Sequence, residues 1–261
     1  MNIYPKKSLG QNFLIDQNII EKIISLAIIK DKVILEIGPG TGNLTEKIIE
    51  KNPSKIFLIE KDQNLCDILR NKFKKKIDII NEDVLNIDEH QISNDSMIVF
   101  GNLPYNISTE ILLKWILNLG SEIWFKELIL MFQKEVADRI IANVNSSNYG
   151  RLSIISQWKL DIKKITDIEA SCFKPKPKIK STVLHFFPKK DYINLKSENL
   201  ELITRVFFNH RRKMIKKPII QLFKDPSLIY RKFNLDYSLR PQNLSPETYF
   251  DLAKEFEILR R

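Results

Sequence analysis

Val33-Ile34-Leu35-Glu36-Ile37-Gly38-Pro39-Gly40-Thr41-Gly42-Asn43 is the stretch that decides the fold. A run of strand length enters a turn with glycine at positions 38, 40 and 42. Lacking a Cβ, glycine lets the backbone turn sharply and come close to a ligand. Outward from this turn, Ile56–Glu60, Ile77–Ile80 and Met97–Phe100 are further short apolar runs that end at polar or glycine positions. Between them, residues 43–51, 63–74 and 108–118 carry apolar side chains at helical spacing. That alternation predicts βαβ units and a mostly parallel, doubly wound sheet. A strand over Glu127–Phe132, a helix from Lys134 to about residue 142 and a strand over Ser181–Phe187, pairing antiparallel at the end of the sheet, continue it. Phe173-Lys174-Pro175-Lys176-Pro177-Lys178 cannot be helical, because each proline removes a donor and restricts the residue before it.

After Pro188 the alternation stops. Residues 198–210, 213–224 and 246–257 read as helices, the last opened by Ser245-Pro246-Glu247, a cap followed by proline in the first turn. The expected boundary is therefore a first domain over 1–189 and a helical one over 190–261.

Charge separates along the same line. The net charge is +10, but residues 1–170 hold 22 Lys/Arg against 23 Asp/Glu, whereas residues 171–261 hold 20 against 9. Excess positive charge confined to the last third points to a polyanion-binding surface, with nucleic acid favoured over a membrane because no basic amphipathic helix stands out. No apolar run approaches the roughly 20 residues of a membrane helix, and no apolar stretch follows the basic start Met1–Lys7, so no secretory leader is expected. Cys66 and Cys172 stand far apart and have no metal-type spacing. They read as thiols in a reducing compartment, and the expected location is cytoplasmic. His90, His185 and His210 are isolated, and no metal site is expected.

A glycine-rich turn after a first strand, with an acid at the end of the next, also occurs in nicotinamide-cofactor sites. Here the acid is Glu60, placed to accept hydrogen bonds from two ribose hydroxyls. Two features favour S-adenosylmethionine over a dinucleotide. The glycine spacing is GxGxG rather than GxGxxG, and Asp83 follows the third strand, where it can bind the amino group of an adenine. The fourth strand ends in Gly101-Asn102-Leu103-Pro104-Tyr105-Asn106-Ile107-Ser108, in the crevice that the glycines face. Asn102-Leu103-Pro104-Tyr105 resembles the Asn/Asp-Pro-Pro-Tyr/Phe motif of methyltransferases acting on exocyclic amines. An aromatic amine is a poor nucleophile, its lone pair being spread into the ring. Hydrogen bonds from its N–H groups to the Asn102 side-chain oxygen and a nearby carbonyl localise that pair, while Tyr105 stacks on the base.

With those residues, the chain resembles the small-subunit ribosomal RNA adenine dimethyltransferases of the KsgA/RsmA type over nearly its whole length. Leu9–Leu14, Gln133–Ala137, Tyr149-Gly150-Arg151-Leu152-Ser153 and Phe173–Lys178 also carry the likeness. The resemblance implies an α/β class I S-adenosylmethionine-dependent methyltransferase domain, with a Rossmann-like seven-stranded sheet and a small all-helical C-terminal domain. It implies dimethylation at N6 of two adjacent adenosines near the 3′ end of 16S ribosomal RNA, with that RNA in the small subunit as partner. Carried over, cofactor contacts fall on Asn12, Leu14, Gly38, Gly40, Glu60, Asp83 and Asn102, the first two from an arm folded over the cofactor. Catalytic roles fall on Asn102, Pro104, Tyr105 and Phe173, the last as an aromatic flanking the target base. Arg211, Arg212, Lys213 and Lys216 are the expected RNA contacts. Met214 and Lys217-Pro218 depart from the family pattern, and Pro218 is expected to shift a helix start. A monomer is expected.

Overall fold

The computed structural model describes residues 6, 10–120 and 122–260, so Met1–Pro5, Lys7 and Leu9 of the sequence reading lie outside the described residues. Two sheets form. The smaller pairs β1 (Phe13–Leu14) antiparallel with β8 (Phe173–Lys174). The larger has seven strands in the order β4-β3-β2-β5-β6-β9-β7. These are β2 (Val33–Ile37), β3 (Lys55–Ile59), β4 (Asp78–Ile80), β5 (Met97–Asn102), β6 (Phe125–Gln133), β7 (Leu160–Ile168) and β9 (Ser181–Pro188). The first five are parallel neighbours, and β9 runs antiparallel to β6. Because β2 lies between β3 and β5, the strand order reverses there. This is where a doubly wound sheet opens a crevice beyond its carboxyl ends.

All five β2 residues are buried, as expected for a parallel strand covered on both faces. Ile34, Leu58, Ile98, Phe100 and Ile129 pack in one cluster with Ile20, Ile23 and Ile24 of α1 (Gln17–Ile24) and Ile48 of α2 (Asn43–Glu50). Asp16 caps α1 by accepting from Ile19 N at 3.0 Å. The helices α3 (Gln63–Phe73), α4 (Ser108–Asn118) and α5 (Lys134–Ile140) complete the alternation.

Two expectations need correction. The strand over 181–187 is antiparallel as expected, but it does not end the sheet, because β7 lies beyond it. β7 carries Asp161, Lys163, Lys164 and Asp167 and is largely exposed, the charge-rich habit of an edge strand, so apolar patterning does not reveal it. The helix expected over 213–224 is instead α8 (Lys216–Leu222), with Pro218 in its first turn where a missing N–H costs nothing.

Residue contacts divide the chain into two compact units. The first runs up to Trp115 and adds Leu119–Ala137 and Ile162–Pro188. The second combines Ile116–Asn118, Asp138–Asp161 and the chain from Lys189 onward. Residues 138–161, grouped with the first domain in the sequence reading, thus pack in the second unit. α6 (Arg151–Lys159) belongs there with α7 (Ser197–Phe208), α9 (Pro226–Lys232) and α10 (Pro246–Ile258). Tyr149 Oη donates to Leu244 O at 2.9 Å, and the Phe207 and Tyr249 rings meet edge-on at 5.4 Å between centroids. No strand occurs after Pro188 among the described residues, and no described helix is long and apolar enough to cross a membrane.

One buried ion pair ties the loop after β4 to α4. Lys114 Nζ donates to Glu89 Oε1 at 2.7 Å, to Val84 O at 2.8 Å and to Ile87 O, while Trp115 Nε1 donates to the same Glu89 oxygen at 2.7 Å. Removing one member of such a pair strands the other charge in a medium that solvates it poorly. Lys114→Met is therefore expected to cost about 3 kcal/mol of unfolding free energy in urea titrations. Adding Glu89→Gln to that variant should recover part of the stability, because the uncompensated charge is gone.

Candidate active site

The crevice at the switch point holds a cavity of about 170 Å³ between the turn after β2 and the loop after β5. Gly38 and Gly40 have φ of 64° and 58°, backbone that residues with a Cβ adopt at a cost. At Gly40 space forbids a side chain as well, since an added Cβ would lie 2.5 Å from the Phe13 ring. At Gly38 an added Cβ would lie 3.5 Å from Asn102 O, so the two loops stand back to back.

Glu60, just past β3, is buried. Its Oε1 accepts from Asp62 N at 2.9 Å and its Oε2 from Gly40 N at 3.4 Å. Burial raises its pKa, and these backbone donors pull it back. Asp83, past β4, accepts from Leu85 N at 3.0 Å as the cap of a short 3₁₀ turn and from Lys61 Nζ at 2.7 Å. The hydrogen bond from Lys61 holds its carboxyl below the usual range. Beneath the glycine turn, Glu36 is fully buried and accepts from Thr45 Oγ1 at 2.6 Å. Burial outweighs that bond and pushes Glu36 up to about 8.

Asn102 ends β5, and its Nδ2 donates to Asn12 O at 2.7 Å. Pro104 and Tyr105 line the same cavity, and the Tyr105 hydroxyl shares a hydrogen bond with Ser181 Oγ on β9. Burial raises the pKa of Tyr105, so its phenol is neutral near pH 7. Gln11, Asn12, Phe13 and Leu14 close the opposite wall.

The structure thus brings Asn12, Leu14, Gly38, Gly40, Glu60, Asp83, Asn102, Pro104 and Tyr105 to one cavity. It does not bring Phe173 there. That residue is 3% exposed, sits in the core cluster and reaches the site through its pairing with Leu14. In the second unit Arg212, Lys213 and Lys216 are exposed, but Arg211 is partly buried and donates to Ser146 O at 2.9 Å. His185 lies buried against Glu127 at 2.7 Å, and among the described residues no three His, Cys, Asp or Glu side chains are arranged to hold a metal ion.

Sequence reasoning missed the residues that hold the site in shape: Asp62, Asn43 and Ser181. Asp62 carries a readable signal, as an acidic cap before α3, where Asn64 N donates to it at 3.1 Å. Nothing in the sequence links Ser181 to Tyr105.

The lining suits a nucleoside bearing a positive centre. Its acidic groups are Glu60, Glu82 and Asp83, with the buried Glu36 carboxyl holding its proton behind them, against one ammonium, Lys61, already bound to Asp83. Such a wall repels a diphosphate and attracts a sulfonium. Carboxylates at the ends of successive strands are also acceptors for ribose hydroxyls and an adenine amine, so the residues present fit S-adenosylmethionine.

Glu36 gives the site a pH signature. Its carboxyl has an ordinary value of 4.5 and sits at about 8 in the fold, so the folded state prefers it protonated. That stabilisation is complete below about 4.5 and is lost as pH rises through about 8. Glu36→Gln should therefore be more stable than the parent at pH 8.5 by about 1–3 kcal/mol, with little difference at pH 5, as read from chemical denaturation at both values.

Compared with known proteins, residues 4–257 match the family model described as ribosomal RNA adenine dimethylase. The chain is 57% identical over all of its 261 residues to the full length of the ribosomal RNA small subunit methyltransferase A of Pelagibacter ubique. It is 42% identical to the protein of that name from a Wolbachia of Drosophila simulans, covering 98% of this chain and 94% of the relative. Among solved structures, it is similar to a dimethyladenosine transferase from Plasmodium falciparum, with TM-score 0.82, 25% identity and coverage of 94% and 98%. The 23S rRNA methyltransferase ErmE shares the fold, with TM-score 0.70 at 20% identity and coverage of 94% and 99%.

Proposed function

The chain belongs to the ribosomal RNA adenine dimethylase family, and we propose that it dimethylates N6 of two adjacent adenosines near the 3′ end of 16S ribosomal RNA. The observation that carries this reading is the shared cavity: the Asn102-Leu103-Pro104-Tyr105 loop faces the space that the glycine turn, Glu60 and Asp83 line. Relatives named for the small subunit support that subunit as the substrate.

In this reading Glu60 accepts from the ribose hydroxyls and Asp83 from the adenine amine of S-adenosylmethionine, against the backbone of Gly38 and Gly40 and under Asn12 and Leu14. The cofactor supplies a methyl group already activated on sulfur, so orientation of the acceptor provides most of the rate. Asn102 Oδ1 accepts from an N–H of the target amine and concentrates its lone pair on nitrogen. Tyr105, its hydroxyl tied to Ser181, presents its ring to an extruded base. Pro104 keeps the loop between them stiff, and Phe173 supports the arm from the core. The first unit supplies this catalytic site. The basic residues of 190–261, Arg212, Lys213 and Lys216 foremost, hold phosphates, while Arg211 also secures its own loop. The protein works as a cytoplasmic monomer.

The test is methyl transfer from labelled S-adenosylmethionine to unmethylated small subunits, with large subunits as control. N6,N6-dimethyladenosine should appear in small-subunit RNA alone, and Asn102→Ala should lower the rate by about 100-fold or more. Label in large-subunit RNA would reassign the substrate, and no label in either would leave an RNA-binding protein on this fold. For the basic cluster, Arg212→Ala with Lys213→Ala should weaken small-subunit binding. The same variant should flatten the salt dependence of binding, by about one unit of slope for each phosphate that is no longer neutralised.

A further inference from the structure

The segment Gly10–Leu14 is held at both ends by groups outside the reacting centre. At its start, Asp62 accepts from Lys6 Nζ at 2.8 Å and from Gln11 Nε2 at 3.0 Å. At its end, Asn43 Nδ2 donates to Leu14 O at 2.7 Å, and Phe13 and Leu14 pair with Lys174 and Phe173. Between these clamps the Phe13 ring fills the space a Cβ would take at Gly40. Asn12, between the clamps, offers its carbonyl to Asn102 Nδ2 at 2.7 Å.

That last bond has a chemical direction. A backbone carbonyl can only accept, so the NH₂ end of the Asn102 amide must face the arm. The Oδ1 end then faces away from Asn12, and no other described group bonds to it. Were the amide reversed, Oδ1 would meet a carbonyl oxygen, and an NH₂ group would face the N–H groups of an incoming amine. Neither contact is a hydrogen bond.

We propose that the arm is a positioning element for the methyl acceptor: the Asn12 carbonyl fixes which way the Asn102 amide faces, and Lys6 and Gln11, bound to Asp62, keep that carbonyl in place. The proposal rests on the acceptor chemistry given above. Lys6, Gln11 and Asp62 are positioning residues, since they act through Asn12 and Asn102. A mere cover over the cofactor would govern only cofactor affinity, whereas an arm that sets the amide governs turnover as well.

Lys6→Ala with Gln11→Ala removes both donors to Asp62 and leaves its cap on α3 in place. Three quantities are read on this variant and the parent. They are hydrogen exchange of the Asn102 side-chain amide by NMR, affinity for S-adenosylhomocysteine by calorimetry, and kcat and KM on small subunits. The parent amide should exchange slowly and the variant amide fast. At saturating cofactor kcat should fall roughly 10- to 100-fold, as misplacement of a reacting group does, while KM for subunits changes little. Unchanged kcat at saturating cofactor, with the amide released, would reduce the arm to a cover and overturn the proposal. A parent amide that exchanges freely would overturn it too. Should the parent make no dimethyladenosine, the functional reading fails, yet the exchange data still decide whether the arm sets the amide.

Discussion

Gly40 is the constraint from which the site follows. Its N–H points at Glu60, its α-carbon faces the Phe13 ring, and its backbone is left-handed. A residue with a side chain there would push the arm off the crevice and strain the turn. The hydrogen bond from Gly40 N to the carboxylate on the neighbouring strand would be disturbed in the same stroke. The cavity is therefore a property of backbone geometry first, and the functional side chains take their places around it.

Much of this was legible in the sequence. Val33–Gly42 announces a buried strand and a turn that only glycine makes easily, and the sheet and crevice follow from the alternation after it. Asn102-Leu103-Pro104-Tyr105 falls in that crevice because β5 is adjacent to β2. What escaped does so for physical reasons. α6 is buried nearly all round, through Leu152, Ile154, Ile155 and Trp158, so no polar face marks its period. β7 has the opposite fault, too many charges to look like a strand. The contacts Asn12–Asn102, Gln11–Asp62 and Tyr105–Ser181 join residues far apart in sequence, and no local pattern encodes such pairs. Phe173 reads as a site aromatic but packs in the core, because exposure depends on the ribbon it joins.

Electrostatics and packing pull against each other around the cavity. The acidic lining suits a cationic ligand, but crowding carboxylates into an apolar crevice disfavours their charge, and the deepest of them, Glu36, takes up a proton most readily. Glu60 escapes that outcome in part through its two backbone donors, and Asp83 wholly through Lys61. The nearer a carboxylate stands to solvent or to a donor, the more it can act as an acceptor of charge-assisted hydrogen bonds.

The ribbon of β1 and β8 also sets an order of events during synthesis. Residues 10–14 leave the ribosome early, yet their partners Asp62, Asn102 and Phe173 emerge only later, the Asn102 contact spanning 90 residues. Until Phe173 and Lys174 have been made, the arm has no strand to pair with. The ribbon that backs the arm is thus among the last parts of the first unit to be completed, after every other partner of residues 10–14 named above has been made.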